Sequence, residues 1–157
     1  MKYAHLLLIV LTLVACADSR SREFKSLESK NVYLNVPNDV DLIAPEIMIG
    51  LQSAGFKVDS STSEAKKYQD LIQGNAVTGV SISKSQKRYE VIVNYGIQQN
   101  RFVAYNIVVR DRDDESLVAT KKYRWDRLFP APSIDSGVQE IVEYIDGLAH
   151  VKLSLIH

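Results

Sequence analysis

From Leu6 to Ala15 the chain is almost unbroken hydrocarbon, and from Ala17 to Lys30 it is polar, with Phe24 and Leu27 the only large apolar side chains. Regular patterning starts at Asn31. Val32, Leu34 and Val36 alternate with Tyr33 and Asn35, the period of a strand, and Pro37-Asn38-Asp39 ends it. Ile43, Ile47, Leu51 and Ala54 then fall on one helical face. Asp39 or Asp41 can cap that helix, Pro45 is tolerated only in its first turn, and Gly55 supplies a C-terminal cap. Phe56-Lys57-Val58-Asp59 resumes as a short strand. Strand, helix, glycine and strand in under thirty residues predict a crossover unit with its two strands parallel.

The pattern changes again after Ser60. Ser61 to Glu64 fits a capping box, and Ala65, Tyr68 and Ile72 share a face, predicting a short second helix that Gly74-Asn75 closes. Four β-rich runs follow: Ala76–Ser83, Arg88–Tyr95, Phe102–Arg110 and Leu117–Trp125. Their connectors are short and polar, as in an antiparallel meander. In the last run Leu117, Ala119, Lys121, Tyr123 and Trp125 form one face, and Val118, Thr120, Lys122 and Arg124 the other. Half-polar faces predict a sheet covered on one side and wet on the other. After the rigid turn Phe129-Pro130-Ala131-Pro132, apolar residues Ile134, Val138, Ile141, Val142, Ile145 and Leu148 recur at helical spacing. The fold class that results is α+β: a two-layer sandwich with a mixed, mostly antiparallel sheet and two main helices packed on one face. The expected divisions are a leader over 1–15, a flexible tether over 16–30, a single domain over 31–150 and a tail over 151–157.

Composition narrows the function classes. Of 157 residues 46% are hydrophobic, and 19 basic side chains balance 19 acidic ones, which excludes a long disordered chain. That balance offers nothing to attract phosphate over a distance, so nucleic acid is not an expected partner. One cysteine excludes a disulfide framework within the chain.

The leader carries the sharpest signal. Lys2 precedes an apolar run of roughly ten residues, about half the length needed to cross a ~30 Å hydrocarbon core. It reads as an export signal; a plain secretory signal and an uncleaved anchor are the alternatives. Leu13-Val14-Ala15-Cys16 resembles the lipobox of bacterial lipoproteins, and the chain's one cysteine stands where the run ends. The resemblance implies cleavage between Ala15 and Cys16, a diacylglyceryl group on the Cys16 thiol, and an acyl chain on its new amino group. A cysteine suits this step because a thiolate is a strong side-chain nucleophile. Two or three chains anchor stably where one does not. Ala17 rather than Asp after the cysteine implies, by the same resemblance, the outer membrane rather than the inner. Removal of Lys2 leaves 18 basic against 19 acidic side chains.

The order of elements after the lipobox looks like that of small envelope lipoproteins of unassigned function. Through them it is similar to the N-terminal domain of the Tol-system periplasmic protein and to the outer-membrane lipopolysaccharide-assembly lipoprotein. This likeness is one of architecture, with no diagnostic motif, and it implies a binding or assembly role with an envelope protein as partner.

Catalytic signals are sparse. His5 leaves with the leader, and His150 and His157 lie at the far end. There is no Gly-x-Ser-x-Gly elbow and no phosphate-binding glycine loop. No metal or dissociable cofactor is expected. Asp111, Asp113, Asp114 and Glu115 start like a calcium loop, but Ser116 and Lys122 stand where its glycine and distal glutamate belong, so a charged hairpin turn accounts for them better. Lys121, Lys122, Arg124 and Arg127 form a basic run interleaved with Tyr123 and Trp125, a candidate contact for anionic headgroups, lipopolysaccharide phosphates or an acidic partner. The plainer account is a solvated strand face. Tyr33, Tyr89, Tyr95 and Tyr105 are candidates for a recognition surface or simple packing. The expectation is a non-enzymatic, lipid-anchored envelope protein facing the periplasm. A membrane-tethered hydrolase or lipid-handling protein is the alternative.

Overall fold

The computed structural model describes residues 19–60, 87–126 and 130–150. The leader, Cys16, the expected helix over 61–75, the expected strand over 76–83, Arg127 and the tail lie outside the described residues.

The described chain forms a six-stranded mixed sheet and two helices. In order these are β1 (Arg20–Glu23), β2 (Asn31–Asn35), α1 (Ile43–Ser53), β3 (Lys57–Ser60), β4 (Tyr89–Gln98), β5 (Arg101–Asp111), β6 (Leu117–Arg124) and α2 (Ile134–His150). Across the sheet they run β1-β6-β5-β4-β2-β3. The expected α+β class with helices packed on the sheet is what the structure shows.

The crossover unit forms as the pattern dictates. β2 pairs in parallel with β3 and also with β4. Of the two candidate caps Asp39 does the work: its carboxylate accepts from the Ile43 and Ala44 amides at 2.7 and 3.0 Å. Leu42 adopts a left-handed conformation to let the chain enter the helix. Gly55, with φ 86°, turns the chain out of it. β4, β5 and β6 make an antiparallel meander. The β4–β5 loop is two residues, Gln99 and Asn100, both at positive φ, the backbone whose twist matches a hairpin.

The core lies between the sheet and the helices. Val32, Leu34, Val91, Val93, Ile107 and Val109 face Ile47, Leu51, Ile141, Ile145 and Leu148, and all are buried. The helices approach closely at Gly50, where a Cβ would stand 2.6 Å from Val142 Cγ2. Gly137 of α2 rests on the buried Phe102 ring, which its Cβ would meet at 2.2 Å. Apolar periodicity has no means of marking either glycine as a contact.

Two expectations are corrected. Of the segment 16–30, expected to be a flexible tether, the described part is built into the domain. β1 pairs antiparallel with β6, Leu27 is buried, and the Leu27 amide donates to the Leu148 carbonyl at 2.9 Å. The strict alternation read in the last strand also fails at its start, where Val118 and Ala119 are both fully buried and Leu117 is exposed. A register shift between Val109 and Arg110 rotates the pleat there.

Candidate functional site

The basic run divides between the two faces of β6. Lys121 projects toward α2, where its Nζ lies 2.8 Å from Glu140 and 5.2 and 5.9 Å from the ring centroids of Tyr144 and Tyr105. Its side chain is 13% exposed, so it is a core-side cation rather than a surface contact. The Tyr105 hydroxyl beside it is buried, and burial with the nearby Glu140 charge raises its pKa. Lys122 and Arg124 point the other way and are exposed. Lys121 therefore leaves the expected contact set. Arg127 lies outside the described residues, as do Ala15 and Cys16.

The structure adds two residues that the sequence reading assigned to the tether. Arg20 stands directly opposite Lys122 in the sheet register, and Arg22 opposite Thr120. Paired residues share a face, so Arg20, Arg22, Lys122 and Arg124 lie together on the face turned away from the helices, and all four are exposed. Ser21 and Glu23 point to the other side. The row continues inward from Lys122 through Asn106 to Asn94, polar but uncharged. The alternation Ser19-Arg20-Ser21-Arg22 was the available signal, but it is too short to separate from polar coil.

Elsewhere on the open face an acid–base contact and a cation–ring contact form. Arg110 meets Glu90 at 2.6 Å, and Asn35 donates to the same carboxylate at 3.1 Å. Burial opposes ionisation of Glu90, but these two hydrogen bonds outweigh it and hold the pKa below the usual range. The Arg112 guanidinium lies 5.3 Å from the Tyr33 ring centroid.

The acidic cluster is the β5–β6 turn. Asp111 is 2% exposed and takes the Arg88 guanidinium at 2.9–3.0 Å, and that hydrogen bond holds its carboxyl below the usual carboxylate range. It also accepts from the Asp113 amide, while Asp114 accepts from the Ser116 amide and from Lys25. The turn spends these carboxylates on its own backbone and on Arg88 and Lys25. Among the described residues no group of three or more His, Cys, Asp or Glu side chains is placed to hold a metal ion.

Three of the four tyrosines are structural. Tyr89 and Tyr105 are core residues. Tyr95 donates its hydroxyl to the capping Asp39 at 2.8 Å and accepts from the Asp41 amide at 3.2 Å. Burial, followed by that bond to Asp39, pushes its pKa up to about 12. Tyr33 is half-buried on the open face. On the opposite side a shallow groove of about 340 Å³ runs between the helices. Ile49, Val138 and Val142 lie in it, with Glu46, Asp135 and Glu143 also along its lining.

No family model and no curated protein matches the chain. Among solved structures it is similar to the PelC dodecamer from Paraburkholderia phytofirmans in two crystal forms. One match has 11% identity and a TM-score of 0.47 over 87% of this chain and 100% of that one. The other has 12% and 0.45 over 85% and 99%. At that level the likeness carries no argument about this chain.

Proposed function

We propose that this chain is an envelope lipoprotein: a small α+β domain held at a bacterial outer membrane through lipid on Cys16, facing the periplasm and serving a non-enzymatic binding or assembly role. The observation that carries the reading is Leu13-Val14-Ala15-Cys16 at the end of a short apolar run, with the chain's one cysteine at the cleavage point. The lipid is a covalent modification, and the membrane is the first partner.

Four of the described carboxylates are engaged by neighbouring side chains, which favours a structural role for those four. Acid–base catalysis by a carboxyl pair needs one member held protonated near neutral pH. Glu90, Asp111, Asp114 and Asp146 are all shifted the other way, each by a basic or hydroxyl partner in contact. Arg110 stands in β5, Arg88 just before β4, and Lys25 and Lys30 in the segment between β1 and β2.

Blocking the lipoprotein signal peptidase in a bacterial host tests the anchor. The wild-type chain then accumulates as a heavier precursor, and the Cys16→Ser chain shows no response to the inhibitor. An unchanged wild-type band contradicts the reading. Crosslinking in intact cells followed by mass spectrometry tests the binding role, which a complete lack of reproducible neighbours contradicts.

A further inference from the structure

We infer that the β1–β6 edge is the membrane-facing side of the domain, with Arg20, Arg22, Lys122 and Arg124 set against anionic phospholipid headgroups. The inference rests on the lipid anchor proposed above and adds an orientation to it.

Chain length supplies the first argument. Only Ala17, Asp18 and Ser19 separate Cys16 from β1. A link that short, fully extended, reaches at most about 14 Å. With Cys16 held at the bilayer surface, Arg20 stays close to the headgroup layer and the domain has little freedom to turn β1 away. The flexible tether expected over 16–30 would have allowed any orientation; a strand beginning at Arg20 does not.

Charge supplies the second. The first described strand after the link presents Arg20 and Arg22, and its paired neighbour among the described residues, β6, adds Lys122 and Arg124 on the same face. One acid, Asp18, lies in the link itself. The chain as a whole is neutral, so four basic side chains gathered at the anchored edge are a local concentration and not a reflection of composition. Each basic side chain near an anionic bilayer adds about five-fold to binding, and the contribution fades within a Debye length of about 8 Å at physiological salt. The patch is useful only if held near the surface, and the short link would hold it there.

The test uses the lipidated full chain from a bacterial host, reconstituted in vesicles of phosphatidylcholine alone or with 30 mol% phosphatidylglycerol. A membrane-impermeant amine reagent labels accessible lysines, and Lys122 is compared with Lys57 in the same molecules. Lys57 begins β3, four strand spacings or about 19 Å across the sheet, so the ratio is independent of how many molecules face outward. Labelling of Lys122 relative to Lys57 should fall at least five-fold in the anionic vesicles, recover in 0.5 M salt, and show no fall when Arg20→Gln, Arg22→Gln and Arg124→Gln are combined. Equal ratios in both vesicle types, on protein whose intact mass includes the acyl groups, overturn the orientation and leave the anchor standing. An intact mass without acyl groups overturns the anchor and the orientation with it.

Discussion

Lys121 and Lys122 are adjacent on one strand and have opposite physical roles. On the helix-covered side, Lys121 is enclosed by Glu140, Tyr105 and Tyr144, and its charge holds α2 to the sheet. On the open side, Lys122 stands among Arg20, Arg22 and Arg124 and is exposed. Lys121 spends its charge on the fold, whereas Lys122 turns its charge outward. The pleat, which turns successive side chains to opposite faces, makes that division.

The covered face should respond most strongly to substitution. Phe102→Ala removes the ring that supports Gly137 of α2 and sits edge-on to Tyr95 and Tyr105. Urea unfolding should show a loss of about 3–5 kcal/mol. A loss below 1 kcal/mol would mean that α2 does not rest on this ring. Lys121→Ala should cost about 1–2 kcal/mol through the lost ion pair and ring contacts. Lys122→Ala should stay within about 0.5 kcal/mol, as surface substitutions do. Equal losses for the two lysines would remove the distinction between the faces.

Acid should act mainly through the turn and helix anchors. Asp111, held by Arg88, and Asp146, held by Lys30, have folded pKa values below their unfolded ones. Each therefore contributes stability that is present above the unfolded value near pH 4 and is lost as pH falls through the folded one. The melting temperature should drop as pH is lowered from 5 to 2. In Asp111→Asn the starting value should be lower and the acid-induced drop smaller. An unchanged slope would show that the Arg88 contact does not stabilise the folded state.

How much of this was legible follows from the signal each element carries. The β2–α1–β3 unit was readable because a period of two gives way to a helical one between an aspartate cap and a glycine. The long terminal helix was readable for the same reason, except for Gly137, whose burial depends on a ring more than thirty residues away in the chain. β1 was not readable. It has no apolar side chain, and its pairing depends on β6, about a hundred residues later. The alternation in the last strand already put Lys121 and Lys122 on opposite faces, so the basic run was never one patch. Its other half came from β1, and only the sheet register could supply it.

Lipid on Cys16 is read from the mass of the amino-terminal peptide of protein purified out of native membranes. The peptide should start at Cys16 and carry a diacylglyceryl group on sulfur, with or without a third acyl chain on nitrogen. A peptide that starts at any unmodified residue, or that still contains Met1, would contradict the anchor.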